Sequence, residues 1–299
     1  MAEPSAEPSV IVGIGELLWD VLPRGKQLGG APVNFACHCQ QLGSTAYPVS
    51  CIGQDDLGRE IREALDSLHV DHAYVMGDPD HPTGTVQVTL DAKGKPSYEI
   101  CEQVAWDHLQ MSDALAALAG SADAACFGSL AQRNHVSRTT IREFLNLMRP
   151  ESLRVFDVNL RQAFFSKEII EDSLALANVL KLSDEELPVM VPWFNLSGSP
   201  LEQLQQLRAQ FDLSLIAFTR GPDGSLLLGS DEIDDHPGCP GTAIDSVGAG
   251  DSFTAALCTG LLRQRPLSEI NEHANRVGTF VCSQNGATPT LPPELISSS

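Results

Sequence analysis

Basic residues are scarce in this 299-residue chain: 19 Lys and Arg stand against 39 Asp and Glu, a formal charge of −20. So acidic a protein works against the counterion release that drives binding to nucleic acid, and no nucleic-acid partner is expected. The same field repels free nucleotide phosphates, so a phosphate-handling site must draw on locally positive groups, metal ions or helix ends. Long apolar runs are missing as well. No stretch approaches the ~20 residues that a membrane-spanning helix needs. Met1 to Ser9, rich in Pro, Glu and Ala, has neither the basic start nor the apolar segment of a secretory signal. It reads as a disordered lead, 1–9, before a domain of 10–299, and a cytoplasmic protein with no membrane partner is expected. Eight cysteines, at 37, 39, 51, 101, 126, 239, 258 and 282, include no C-x-x-C pair and read as reduced core residues. Cys37, His38 and Cys39 do not read as a metal site, because alternate residues of a helix face different ways and no second ligand pair follows.

Several local signatures are also absent. Gly13-x-Gly15 follows a strand-like run, yet Leu18 stands where the third glycine of a dinucleotide fingerprint belongs. Gly53 to Gly58 has the spacing of a P-loop, but Arg59 and Glu60 occupy the places of Lys and Ser/Thr. No G-x-S-x-G elbow and no H-E-x-x-H occurs, which removes the local marks of serine hydrolases and zincins.

What is present is ordinary globular composition, 42% apolar and 19% charged. Short apolar, often β-branched runs at Val10 to Ile14, Ala46 to Ile52, Ala124 to Phe127, Val155 to Asp157, Val179 to Leu182, Leu215 to Thr219 and Ser225 to Leu228 read as strands. Between most of them lie helical patterns such as Ile61, Leu65 and Leu68, or Leu201, Leu204 and Leu207. The alternation predicts an α/β fold with a doubly wound, mostly parallel sheet flanked by helices. One segment departs from it: Thr85 to Leu90 alternates, Asp91 to Gly94 supplies turn residues, and Ser97 to Cys101 extends again. This predicts an antiparallel hairpin with one wet face, either a cover over a site or a plain sheet edge.

The most informative stretch is Asp245-Ser-Val-Gly248-Ala-Gly250-Asp251, followed by Phe253, Leu257 and Leu261 on one helical face. Gly248, Ala249 and Gly250 let backbone N–H groups converge at a helix start, an anion hole for a phosphate. Asp251 is then either an ordinary N-terminal acid or a carboxylate placed to take a proton from an attacking hydroxyl. A second stretch runs Gly29-Gly30-Ala31-Pro32-Val33-Asn34, then Gly43 and Gly53. Together the two stretches resemble the paired signatures of the PfkB, or ribokinase-like, carbohydrate kinases. The resemblance continues through Gly15-Glu16-x-x-x-Asp20, Asp157-x-Asn159-x-Arg161, Lys181-Leu-Ser183-Asp-Glu-Glu186, Thr219-Arg-Gly221 and Gly286-Ala287, and is most like the bacterial fructokinases.

The resemblance implies a ribokinase-like fold with a small β lid contributed by about 16–30 and 84–105, and ATP-dependent phosphorylation of the primary hydroxyl of a neutral sugar, fructose first. It implies sugar contacts at Asp20, Gly29, Gly30 and Asn34, where Asp20 could otherwise cap a turn and Asn34 a helix. Arg161 is implied near the reacting centre, with a surface ion pair as its alternative. Lys181, Ser183, Thr219, Gly221, Gly224, Gly250 and Asn275 are implied on the nucleotide side. Glu186 would hold Mg²⁺ through water, although Ser183 replaces the family's Asn, and Ser183 with Glu186 also reads as a capping box. Asp245, Val247 and Gly286 would form part of a K⁺ site. Ala31-Pro32 supplies no cation for a phosphorylated sugar, which favours a neutral one; ribose, 2-keto-3-deoxygluconate and nucleosides are the alternative acceptors, and a catalytically silent sugar-binding protein the alternative class. A homodimer through the lid's free edges is also expected.

Overall fold

The computed structural model describes residues 8–22, 25–90 and 96–296. The chain opens with β1 (Val10–Ile14), the hairpin β2 (Leu18–Leu22) and β3 (Gly25–Gly29), and helix α1 (Ala31–Gln41). Next come β4 (Thr45–Gly53), α2 (Asp56–Ser67), β5 (Val75–Asp78), and the pair β6 (Gly84–Leu90) and β7 (Pro96–Ile100). The middle of the chain alternates as α3 (Asp113–Ser121), β8 (Ala124–Gly128), α4 (His135–Leu147), β9 (Leu153–Asp157), α5 (Lys167–Leu176) and β10 (Val179–Ser183). Helices α6 (Leu187–Phe194) and α7 (Pro200–Gln210) lead to β11 (Leu215–Thr219), β12 (Ser225–Leu228) and β13 (Ile233–His236), and α8 (Ala249–Leu262), α9 (Leu267–Cys282) and α10 (Pro293–Ile296) follow.

Nine strands form one sheet in the order β13-β12-β11-β10-β9-β8-β1-β4-β5, parallel from β11 to β5 with β12 and β13 antiparallel at one edge. The parallel strands are near-continuous apolar runs because helices cover both faces. Alternation along each strand sorts the core. Val12, Phe127, Phe156 and Leu180 pack on the face that also takes Phe144 and Leu207. Ile11, Cys126, Val155 and Val179 pack on the other with Phe35, Phe253 and Leu257 of α1 and α8. By the same period of two, Asp157 and Lys181 share the α8 side with Val155 and Val179. Helix starts follow their capping residues: Asp55, Ser112, Asn134, Ser166 and Ser199 each accept a backbone N–H of the first turn. Asp55 explains the Gly53 to Gly58 spacing as a capped turn.

β1 is the switch point: the chain winds outward through β4 and β5 on one side and through β8 to β11 on the other. A crevice outside the carboxyl ends of the strands is the usual consequence. Over that end lies a second sheet, β3-β2-β6-β7, with β2 parallel to β6 and both hairpins antiparallel. The expected hairpin is present as β6 and β7, its turn at 91–94 lying outside the described residues, and β2 and β3 fall within the 16–30 contribution. β5 and β13 were not anticipated. All eight cysteines are free, five of them buried, while Cys101, Cys239 and Cys282 are only half-buried. Among the described residues no helix is long and apolar enough to cross a membrane.

Candidate active site

The start of α8 is set by Gly248, whose φ of 78° is left-handed and whose missing Cβ admits the Ala287 carbonyl. The first helical hydrogen bond is Ser252 N to the Gly248 carbonyl at 2.9 Å. Ahead of it the Ala249 N–H bonds the Ser246 carbonyl at 3.4 Å, and the N–H groups of Gly250 and Asp251 have no partner within the helix. Lys181 reaches this turn from below: a Cβ on Gly250 would stand 3.1 Å from its Nζ. Lys181 is buried and donates to Asp157 Oδ1 at 3.0 Å, while Thr254 Oγ1 donates to Asp157 Oδ2 at 3.2 Å. Burial works against the ammonium, but the carboxylates of Asp157 and Glu186 outweigh it and raise its pKa. A fixed positive charge thus lies behind the helix start, the kind of local cation that a phosphate site in an acidic protein requires.

Asp251 faces the first turn of α1, where Asn34 Nδ2 donates to its Oδ2 at 2.8 Å. Burial, and then the charge of Asp157, push the Asp251 carboxyl up to about 6, against the opposing pull of Asn34, Lys181 and Arg161. Asn34 makes no cap of its own helix, and its Oδ1 is buried without a partner. Gly30, at φ 115°, abuts the Glu16 carbonyl so closely that a Cβ would collide with it. A Cβ on Gly29 would meet Asp20 Oδ2 at 2.5 Å. Among the described residues Asp20 caps no turn; it sits within β2 opposite Gln27. Burial, and secondarily Asp245, raise its pKa to about 6, while Arg161 lowers it. Arg161 is exposed, its Nη1 3.3 Å from the Leu160 carbonyl, and it makes no ion pair among the described residues. Its charge bears on Asp20, Glu16 and Asp251 together. The residues expected to contact the sugar and those expected at the reacting centre therefore converge. A small cavity between α1 and the sheet is lined by Pro32, Phe127, Asp157, Asn159, Asp251 and Thr254.

Glu16 was given no role by sequence reasoning. It follows β1 directly, is 2% exposed, and accepts the Ala31 N–H at 3.2 Å through Oε1, while Oε2 has no partner. Burial raises its pKa to about 7, with Asp251 adding to the rise. Its neighbour Gly15 at the carboxyl end of a buried strand was the available signal.

The residues expected on the nucleotide side lie farther along the same sheet end. Glu186 accepts the Ser183 N–H at 2.7 Å with Oε2 and the Leu160 N–H at 3.0 Å with Oε1. Only the Glu half of the expected capping box forms, in the Ser183 N–H bond to Oε2; α6 begins at Leu187, so Glu186 is its N-cap residue and no side-chain cap bond is made. Thr219 Oγ1 is 3.4 Å from the Leu182 carbonyl, and Gly221 and Gly224, both at positive φ, shape the turn after β11. Asn275 is buried in a polar knot, donating to Ser225 Oγ at 2.7 Å and to the Asn271 carbonyl at 2.8 Å. Asp245 binds the Val247 N–H at 3.0 Å and the Gly286 N–H at 3.2 Å, so the three residues expected to share a cation are neighbours. His38 serves this loop, its Nε2 lying 2.9 Å from the Ala287 carbonyl. Near the turn after β11 His236, Cys239 and Glu272 cluster. The Gly238 N–H donates to His236 Nδ1 at 3.0 Å, so the ring proton is on Nε2, facing Glu272 at 2.7 Å. That tautomer offers a metal no lone pair at Nε2.

A glycine-set helix start, a buried ammonium behind it and a carboxylate beside it have the chemistry that phosphoryl transfer to an alcohol requires. The description pfkB family carbohydrate kinase matches residues 17–294, and the chain belongs to that family; it is a sugar kinase of the ribokinase-like α/β fold. It is 31% identical to the fructokinase of Klebsiella pneumoniae over 93% of this chain and 95% of that one. The structure of the uncharacterized sugar kinase PH1459 from Pyrococcus horikoshii in complex with ATP superposes with a TM-score of 0.78 at 28% identity, covering 93% and 94% of the two chains. Fructokinase from Vibrio cholerae O395, in a fructose, ADP and calcium ion bound form, gives a TM-score of 0.81 at 25% identity over 97% and 98%.

Proposed function

We propose that this kinase transfers the γ-phosphoryl group of ATP to the primary hydroxyl of fructose. The observation that carries the reading is the Asn34–Asp251 hydrogen bond, which joins the sugar-side helix to the helix whose N–H groups would hold the transferring phosphoryl. Asp251 accepts the hydroxyl proton, Asp20 and Asn34 hydrogen-bond the sugar with the backbone of Gly29 and Gly30, and Arg161 balances the charge above them. A neutral sugar suits the site, because Ala31-Pro32 beside the glycine pair puts no cation where a sugar phosphate would need one. The fructokinases among the relatives support fructose in particular.

Lys181, Ser183, Thr219, Gly221, Gly224 and Asn275 form the nucleotide side. Glu186 would hold Mg²⁺ through water, a fit that its two carboxylate oxygens allow since each keeps a lone pair beyond its backbone bond. Bound magnesium supplies charge neutralisation on the phosphates. Asp245 with the backbone of Val247 and Gly286 would hold K⁺ and stiffen the Gly248 turn. The sheet β3-β2-β6-β7 acts as a lid that keeps water from the phosphoryl group, and its free edges suit a dimer in the cytoplasm. The test is ATP consumption with Mg²⁺ across a panel of fructose, ribose, 2-keto-3-deoxygluconate, fructose 6-phosphate and nucleosides. Fructose should give the highest kcat/KM; a phosphorylated sugar turning over fastest would overturn the reading.

A further inference from the structure

We propose that Arg133 is a positioning residue that locks the root of the lid sheet to the turn carrying Arg161. The inference rests on the reading of Asp20 and Arg161 as sugar-facing groups. Arg133 follows the short helical turn Leu130–Gln132 beyond β8, and its side chain is 7% exposed. Its Nε and Nη2 each lie 2.8 Å from an oxygen of Asp107, a bidentate pair. Nη2 also donates to the Cys101 carbonyl at 2.5 Å. The guanidinium carbon lies over two aromatic rings, 4.1 Å from the centre of Trp106 and 4.6 Å from that of Phe164.

These contacts reach three separate parts of the site. Cys101 directly follows β7 and extends the pairing to β6 by one bond, its N–H donating to the Thr85 carbonyl at 3.0 Å. Trp106 presses its Nε1 against Gly84, the first residue of β6, where a Cβ would collide with the ring. Phe164 closes a turn on Arg161, its N–H bonded to the Arg161 carbonyl at 3.0 Å. One buried cation therefore grips both strands at the root of the lid hairpin and the turn that presents Arg161. β6 pairs with β2, which carries Asp20, so the two charged groups above the sugar hang from the same clamp. A planar, doubly stacked and bidentate group is a task for arginine; lysine can keep the ion pair but neither the second donor nor the stacking.

Hydrogen exchange on the full-length protein without ligands tests the clamp, using Arg133→Met, Arg133→Lys and Phe164→Leu. Phe164→Leu removes one stacking face and leaves the Asp107 pair intact. Each variant should speed exchange together at 84–87, 99–101 and 161–164, by about tenfold or more if the clamp sets local opening, with 124–127 and 179–182 unchanged. Faster exchange at the lid root alone, or a uniform rise that includes 124–127 and 179–182, would overturn the coupling. In the kinase assay the sugar KM should rise with the ATP KM unchanged, and Arg133→Lys should recover only part of it. Failure of the wild-type protein to phosphorylate any sugar would count against the proposed function, whereas the exchange result stands apart from it.

Discussion

Replacing Glu16 with glutamine should stabilise the protein, and by an amount that depends on pH. The side chain is 2% exposed, Oε1 accepts the Ala31 N–H at 3.2 Å, and Oε2 is buried without a partner. Burial, helped by the charge of Asp251, raises its pKa from the ordinary 4.5 to about 7. The folded state therefore binds this proton more tightly than the unfolded chain does. The stability it contributes is fully present below about 4.5 and is lost as pH rises through about 7. At about 1.4 kcal/mol per tenfold change in ionisation, the rise corresponds to about 3 kcal/mol. Glutamine keeps an oxygen for the Ala31 N–H and carries no charge at any pH. The difference between Glu16→Gln and wild type should thus be small near pH 5 and grow to about 3 kcal/mol near pH 8.5, on the order of 6 °C in Tm. Urea unfolding at half-unit steps of pH reads it directly. A difference that does not change with pH, or a variant that loses ground as pH rises, would refute the buried neutral acid.

Three further outcomes follow from the site. Phosphoryl transfer should decline as pH drops below about 6, where Asp251 takes up a proton; a rate profile flat down to pH 5 would contradict its role as acceptor. Asp20→Ala should strand sugar hydroxyls and cost about 1–3 kcal/mol, a rise of about 5- to 150-fold in sugar KM; an unchanged KM with a lowered Tm would make Asp20 structural. Activity should increase when K⁺ replaces Na⁺ at equal ionic strength, and equal rates would remove the cation from beside Asp245.

The sheet was legible where burial leaves a clear trace. β1 and β8 to β12 are short apolar runs because helices, or a helix and neighbouring strands, cover them. β5 and β13 are four-residue edge strands, and Ile233-Asp234-Asp235-His236 has too little apolar surface to mark a strand. The start of α8 was legible because Gly248 meets a backbone requirement. The environment of Asp157 and Lys181 was in principle also legible: period-two spacing from Val155 and Val179 puts both on the α8 face. Ser183 and Glu186 form only the Glu half of the box, since the structure places the helix start one turn later. The orphaned oxygens of Glu16 and Asn34 had no sequence mark at all, because satisfaction of a polar atom is a property of packing.

The most direct test of the central claim is Asp251→Asn in a coupled fructose and Mg-ATP assay. Asparagine keeps the size of the side chain and can still accept the Asn34 N–H at 2.8 Å, so the fold and the binding of both substrates should survive. Loss of the proton acceptor should lower kcat by about 10²–10⁴ with KM values nearly retained. Turnover within a few-fold of wild type would contradict Asp251 as the base and with it the proposed mechanism of transfer.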